Sequence, residues 1–177
     1  MLPLLGHPET PTDAVRSVMA RAARQAPDVL ALEFAVECDV TRVRVPGPRA
    51  PQVVHGLWQH SCCEAFVRAE GAEAYHELNL APSGEWAAYA FERYRDGFAF
   101  VDEALAPVIG VRRDPDRWEL EAQVSLARMS PAYAQEHLQV ALAVVVEEHD
   151  GRLSYWALYH PPGRADFHHA GAFVVRV

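Results

Sequence analysis

Turn signals divide most of this chain into segments too short for anything but strands. Pro46-Gly47-Pro48, Asp114-Pro115-Asp116, Asp150-Gly151 and Pro161-Pro162-Gly163 punctuate it, and each cluster is made of residues that favour tight turns. Between them run "LALEFAVEC", "EAFVRAE", "YHELNL", "RWELEAQVSL", "LQVALAVVVEEH", "RLSYWALYH" and "AFVVRV". In the first of these, Leu30, Leu32, Phe34 and Val36 alternate with Glu33 and Glu37, the period of a half-buried strand. Many short strands at near-regular spacing predict an all-β fold, a jelly-roll or immunoglobulin-like β-sandwich. One segment, "TDAVRSVMARAARQ" at residues 12–25, reads as a short N-terminal helix: Asp13 can cap it, Val15, Val18 and Met19 form a stripe, and Pro27 stops it. No repeat or inter-domain linker interrupts the chain, so residues 1–177 are expected to form a single domain.

A chain of 177 residues buries about 70% of its unfolded surface and needs no disulfide or metal staple. The net charge of -8 argues against a nucleic-acid partner, which favours a basic face. The three cysteines, Cys38, Cys62 and Cys63, are too few for a secreted disulfide framework. The start, "MLPLLGHPE", lacks the basic region of a signal peptide, and no apolar run reaches membrane-spanning length. The expected address is the cytoplasm, with no membrane partner.

The stretch "YHELNLAPSGEWAAYAFERYR", residues 75–95, reads as a hairpin. Tyr75, Glu77 and Asn79 share one face of its first strand, and His76, Leu78 and Leu80 share the other. A four-residue loop at residues 82–85 sets Asn79 opposite Ala88 and Glu77 opposite Ala90. A two-residue turn at Asp150-Gly151 sets Val145 opposite Trp156 and Ala141 opposite His160. In both hairpins one face is large and apolar while the other is small residues around a few aromatic and polar groups. The second kind of face is the candidate floor of a binding groove.

Several clusters bear on chemistry. Trp58 and Trp86 stand beside loops, where an indole can stack on a sugar ring or be core; Trp118 is expected in the core. Glu64 and Glu77 are carboxylates on separate strands, the pairing a glycosidase needs, and equally suited to binding hydroxyls. "HSCCE", residues 60–64, lacks the spacing of a zinc site, so no metal is expected. "ADFHHAG" brings Asp166 and His168 to one side, as a site or as a hydrogen-bonded loop. No G-x-S-x-G, P-loop, G-x-G-x-x-G or H-E-x-x-H pattern occurs.

Taken together, "GLWQHSCCEAFV", "YHELNLAPSGEWAAYAFERYR" and "SYWALYHPPGRADFHH" resemble the bacterial DOMON-like proteins related to family 9 carbohydrate-binding modules. The resemblance runs from "GHPETP" to the last strand, and it implies a jelly-roll-like sandwich with a ligand site on one sheet face. By position it carries Trp58 and Glu64, then Trp86, Tyr94 and Arg95, then Trp156, His160, Asp166 and His168 into that site. Ser61, Cys63 and Ala165 depart from the family pattern.

The expected function is therefore non-catalytic binding of a carbohydrate or sugar-like small molecule. Trp58, Tyr75, Trp86, Tyr94 and Trp156 would supply aromatic surface, and Glu64, Glu77, Asn79, Arg95, His160, Asp166 and His168 polar contacts. No cofactor is expected. One alternative is a b-type haem domain for electron transfer or sensing, with Met129 and a histidine as axial ligands, a use implied by the resemblance. A second is a small hydrolase or isomerase using Glu64, Glu77 or His160 as acid and base.

Overall fold

The computed structural model describes residues 1–100 and 102–177. The strands are β1 (Leu2–Gly6), β2 (Val15–Ala26), β3 (Val29–Cys38), β4 (Cys62–Ala69), β5 (Tyr75–Leu80), β6 (Trp86–Arg93), β7 (Asp96–Ala99), β8 (Val108–Asp114), β9 (Arg117–Ser125), β10 (Leu138–Glu147), β11 (Leu153–Ala157) and β12 (Val175–Arg176). They form an antiparallel sandwich. One sheet runs β1-β2-β3-β9-β8 and the other β7-β6-β5-β4-β10-β11, with β12 beside β10. Strand β1 belongs to both, pairing Leu2, Pro3 and Leu4 with β2 and Leu5 and Gly6 with β11.

Alternation along each strand builds the core. Leu30, Leu32, Phe34 and Val36 of β3 and Trp118, Leu120, Ala122 and Val124 of β9 face Val67, Leu78, Leu80, Val140, Leu142 and Val144 of the opposing sheet. Burial of this apolar surface is the main term favouring the fold. Among the described residues no helix is long and apolar enough to cross a membrane.

The all-β sandwich agrees with the sequence reading, but the N-terminal helix does not form: residues 15–26 are strand β2. The local signal misleads for a physical reason. A bulge between Val15 and Ser17 shifts the register, so Val15 and Val18, three positions apart, both turn inward. That spacing mimics a helical stripe, and the Ala-Arg composition adds helix propensity. Pairing with β1 and β3 overrides both.

Both hairpins also differ by one residue from their expected register. Asn79 pairs with Ala87 and Glu77 with Tyr89; Val144 pairs with Trp156 and Val145 with Tyr155. Each loop has three residues rather than four or two. In the first, Ala81 N–H donates to Glu85 O at 2.9 Å and Gly84 has φ 90°. In the second, Glu148 N–H donates to Arg152 O at 2.8 Å and Gly151 has φ 89°. This is a type I turn closed by a left-handed glycine bulge. The slip keeps the first strand of each hairpin as expected and exchanges the faces of the second.

Candidate functional site

The outer face of the sheet holding β4, β5, β6, β10 and β11 is only partly covered. Register lays its side chains out in rows. Ala143, Glu64, Asn79 and Ala87 form one row across β10, β4, β5 and β6; Ala141, Phe66, Glu77 and Tyr89 form the next. Glu64 and Glu77 are thus diagonal neighbours on adjacent strands, within reach of each other. The small residues of β10 leave depth above the sheet. The C-terminal segment covers one part, seating Phe167, Ala172 and Phe173 on Phe66, Tyr75 and Ala141. A short turn, Leu57–Gln59, covers another, with Leu57 against Cys62 and Ala87.

Between these covers lies a cavity of about 550 Å³. Glu64 and Glu77 reach it from the sheet, with Tyr89, Phe91, Val145 and Tyr155 beside them. Trp58 enters from the short turn; Arg164, Ala165, Phe167 and His168 from the C-terminal segment; Arg95 from the β6–β7 turn; and His7, Glu9 and Thr10 from the loop after β1. Trp58 is 40% exposed and meets Tyr89 edge-on, with ring centroids 5.7 Å apart.

A hydrogen-bonded chain sets the polar groups. Arg95 N–H donates to Tyr75 Oη at 3.1 Å, and Tyr75 Oη lies 2.8 Å from His168 Nδ1. The hydroxyl accepting from Arg95 is free to donate to Nδ1, which leaves the His168 proton on Nε2. That nitrogen faces Glu77 Oε2 at 3.6 Å. The other Glu77 oxygen, Oε1, accepts from Asn79 Nδ2 at 2.8 Å. Phe91 stacks on Tyr75 with centroids 4.7 Å apart and completes the packing around His168. Arg95 adopts φ 56°, the left-handed region that non-glycine residues rarely occupy, and its guanidinium turns to Asp166 Oδ1 at 2.8 Å. Tyr94 Oη donates to Asp166 Oδ2 at 2.9 Å.

Electrostatics follow from burial. Desolvation pushes Glu77 up to about 7, against the pull of Asn79 and Arg95. Glu64 is raised well above the carboxylate range, first by burial and then by the neighbouring Glu77. Two like charges this close in a poorly solvated site do not both form readily. Burial and Arg95 push His168 down to about 4, so it is neutral near pH 7. Burial works against the charge of Asp166, but the bonds from Arg95 and Tyr94 outweigh it and hold that carboxyl below its usual range.

Of the residues singled out in the sequence, Trp58, Glu64, Glu77, Arg95 and His168 line the cavity. Tyr75, Asn79, Tyr94 and Asp166 stand behind them and hold them by hydrogen bonds. Three lie elsewhere. Trp86 is 2% exposed and packs between the sheets, because the three-residue loop turns it inward. Trp156 packs against the same core, with Gly6 lying over its indole. His160 sits behind His7, its Nε2 2.8 Å from Leu5 O. Met129, the axial ligand of the haem alternative, is buried in the inter-sheet core on a one-turn helix, Leu126–Met129. Cys63 also faces that core, while Cys62 faces the opposite way. Among the described residues no three His, Cys, Asp or Glu side chains converge as metal ligands.

Tyr89, Phe91, Tyr155, Phe167, His7, Glu9 and Thr10 join the site without a place in the sequence reading. The first three carry a signal: in the corrected register each falls on the face of Glu77 or Val145. The segment at His7 reaches the site only through the pairing of β1 with β11, which no local pattern announces.

No known family profile matches the chain, and neither does any curated protein. Solved structures do match it. A candidate carbohydrate-binding protein from Bacteroides uniformis superposes with a TM-score of 0.66 at 17% identity, over 97% of this chain and 83% of that one. A family 9 carbohydrate-binding module from Caldicellulosiruptor kristjanssonii, in complex with glucose, gives 0.53 at 11% identity, over 87% of this chain and 72% of that one. The fold is shared. At these identities the likeness is one of backbone architecture, consistent with the β-sandwich derived above.

Proposed function

We propose that this protein binds a carbohydrate in the cavity on the outer sheet face and does not transform it. The observation that carries the reading is the union of an exposed aromatic wall, Trp58 against Tyr89, with buried carboxylates in the sheet beside it. A pyranose presents apolar C–H faces and a rim of hydroxyls, so it needs both kinds of surface. The volume of about 550 Å³ falls in the range of small-molecule sites. A fold shared with a module that holds glucose supports the reading, and it requires no cofactor.

The test is a titration of intrinsic tryptophan fluorescence with monosaccharides and short glycans, repeated on Trp58→Ala. Saturable quenching that the variant loses, while its melting temperature holds, is the expected result. No response to any sugar at millimolar concentration, by fluorescence or by thermal shift, sinks the reading. A second reading is favoured by one observation: Glu77, held at about 7, is poised for proton transfer near neutral pH. It requires turnover of a bound sugar that Glu77→Gln abolishes while affinity persists.

A further inference from the structure

Glu64 is the most demanding group in the cavity. The residue is only 3% exposed, and its Oε1 is a buried oxygen with no hydrogen-bond partner among the described residues. Its cross-strand neighbours do not supply one. Ala143 has nothing to offer, and Asn79 gives its amide to Glu77. An unpaired buried acceptor is costly, and a buried carboxylate more so. Oε1 itself is closed to solvent, but the Glu64 side chain forms part of the cavity wall, so a partner there meets the carboxyl group.

Two arginines line the cavity, Arg95 and Arg164, and among the described residues neither is paired with Glu64 or Glu77. Arg95 directs its guanidinium to Asp166 and its Nε to Tyr94. His168 offers Glu77 only the Nε2 side of its ring, at 3.6 Å, since Nδ1 is taken by Tyr75. Two carboxyl groups therefore share one wall, with neutral donors beside them: Asn79 Nδ2 and the more distant His168 Nε2. Around them stand aromatic rings: Trp58, Tyr89, Phe91 and Tyr155. Faces of such rings attract cations, and buried carboxylates bond most strongly to a charged donor.

We infer that the cavity selects a sugar bearing a protonated amine, with the ammonium seated on Glu64 and Glu77 and flanked by the aromatic walls. This rests on the carbohydrate reading above and narrows it. A neutral hydroxyl can give Glu64 one hydrogen bond. An ammonium gives three donors, and its charge also lets the two carboxyl groups ionise together, which a hydroxyl does not.

The experiment is isothermal titration calorimetry near neutral pH with glucosamine, glucose and N-acetylglucosamine as probes, on the wild-type chain and on Glu64→Gln and Glu77→Gln. The acetylated sugar keeps the nitrogen and removes its charge. Glucosamine is expected to bind about tenfold or more tightly than either neutral sugar, and that ratio is expected to collapse in both variants. Each variant removes a buried acid, so folding is preserved; circular dichroism and melting check it. Should glucose or N-acetylglucosamine bind as well as glucosamine, or should the ratio survive in both variants, the amine inference is overturned and the carbohydrate reading stands. Should no sugar bind at all, both fall.

Discussion

Replacing Glu77 by glutamine should stabilise the protein, and only above a definite pH. The carboxyl titrates at about 7 in the folded chain against 4.5 as its ordinary value, because burial disfavours the charged form. Below 4.5 both folded and unfolded chains hold the proton, and the substitution is neutral. As pH rises from 4.5 the unfolded chain releases its proton while the folded chain keeps it, so the wild type loses stability until about 7, where the loss is complete. At about 1.4 kcal/mol per pH unit over that interval, the cost reaches about 3 kcal/mol. The uncharged glutamine carries no such cost and retains an amide oxygen for Asn79 Nδ2. For a chain of this length the gain corresponds to a melting temperature roughly 6–12 °C higher. His168, pushed down to about 4, destabilises the folded chain as pH falls below its ordinary 6.5, but it does so in both proteins and drops out of the comparison. Thermal melts of the two proteins across roughly pH 4 to 8 provide the assay. A gain that is constant across pH, or absent above about 7, refutes the account of Glu77 as a desolvated acid.

Two further outcomes probe the scaffold around the site. Trp86→Ala should cost about 3–5 kcal/mol in urea unfolding, because the indole is 2% exposed between the sheets; a loss of sugar affinity without a loss of stability would contradict that placement. Gly97→Ala should cost about 1–3 kcal/mol, since a Cβ there would meet the Phe91 ring and stand 2.7 Å from the Ala90 carbonyl oxygen. Displacing Phe91 should also disturb the cavity, so ligand affinity and melting temperature should fall together.

The sandwich is legible in the sequence because alternation is a local pattern that burial enforces, as in Leu30, Leu32, Phe34 and Val36. Part of the site is legible for the same reason: Tyr75, Glu77 and Asn79 have to share a face, and the first strand of each hairpin is oriented as expected. The rest turns on single residues. One position in each loop decides whether Trp86 or Tyr89, and Trp156 or Tyr155, faces the cavity, and a glycine bulge leaves little trace outside the loop. Strand β2 reads as a helix because its bulge makes an extended chain imitate helical spacing. His7, Glu9 and Thr10 are invisible to local patterns because they meet the site through pairing between opposite ends of the sequence.

That pairing has a consequence for the order in which the protein can assemble. Strand β1 joins β2 close by in sequence and β11 near the far end of the chain, and the cavity wall combines residues 7–10 with 164–168. Contacts that close so long a loop form late, since chain entropy is lost before the contacts repay it. A ribosome-bound chain can complete both hairpins and still lack the cavity until the segment carrying Asp166 and His168 has emerged. Recognition of a ligand by this protein is therefore a property of the finished sandwich, and affinity regained during refolding should report its last step.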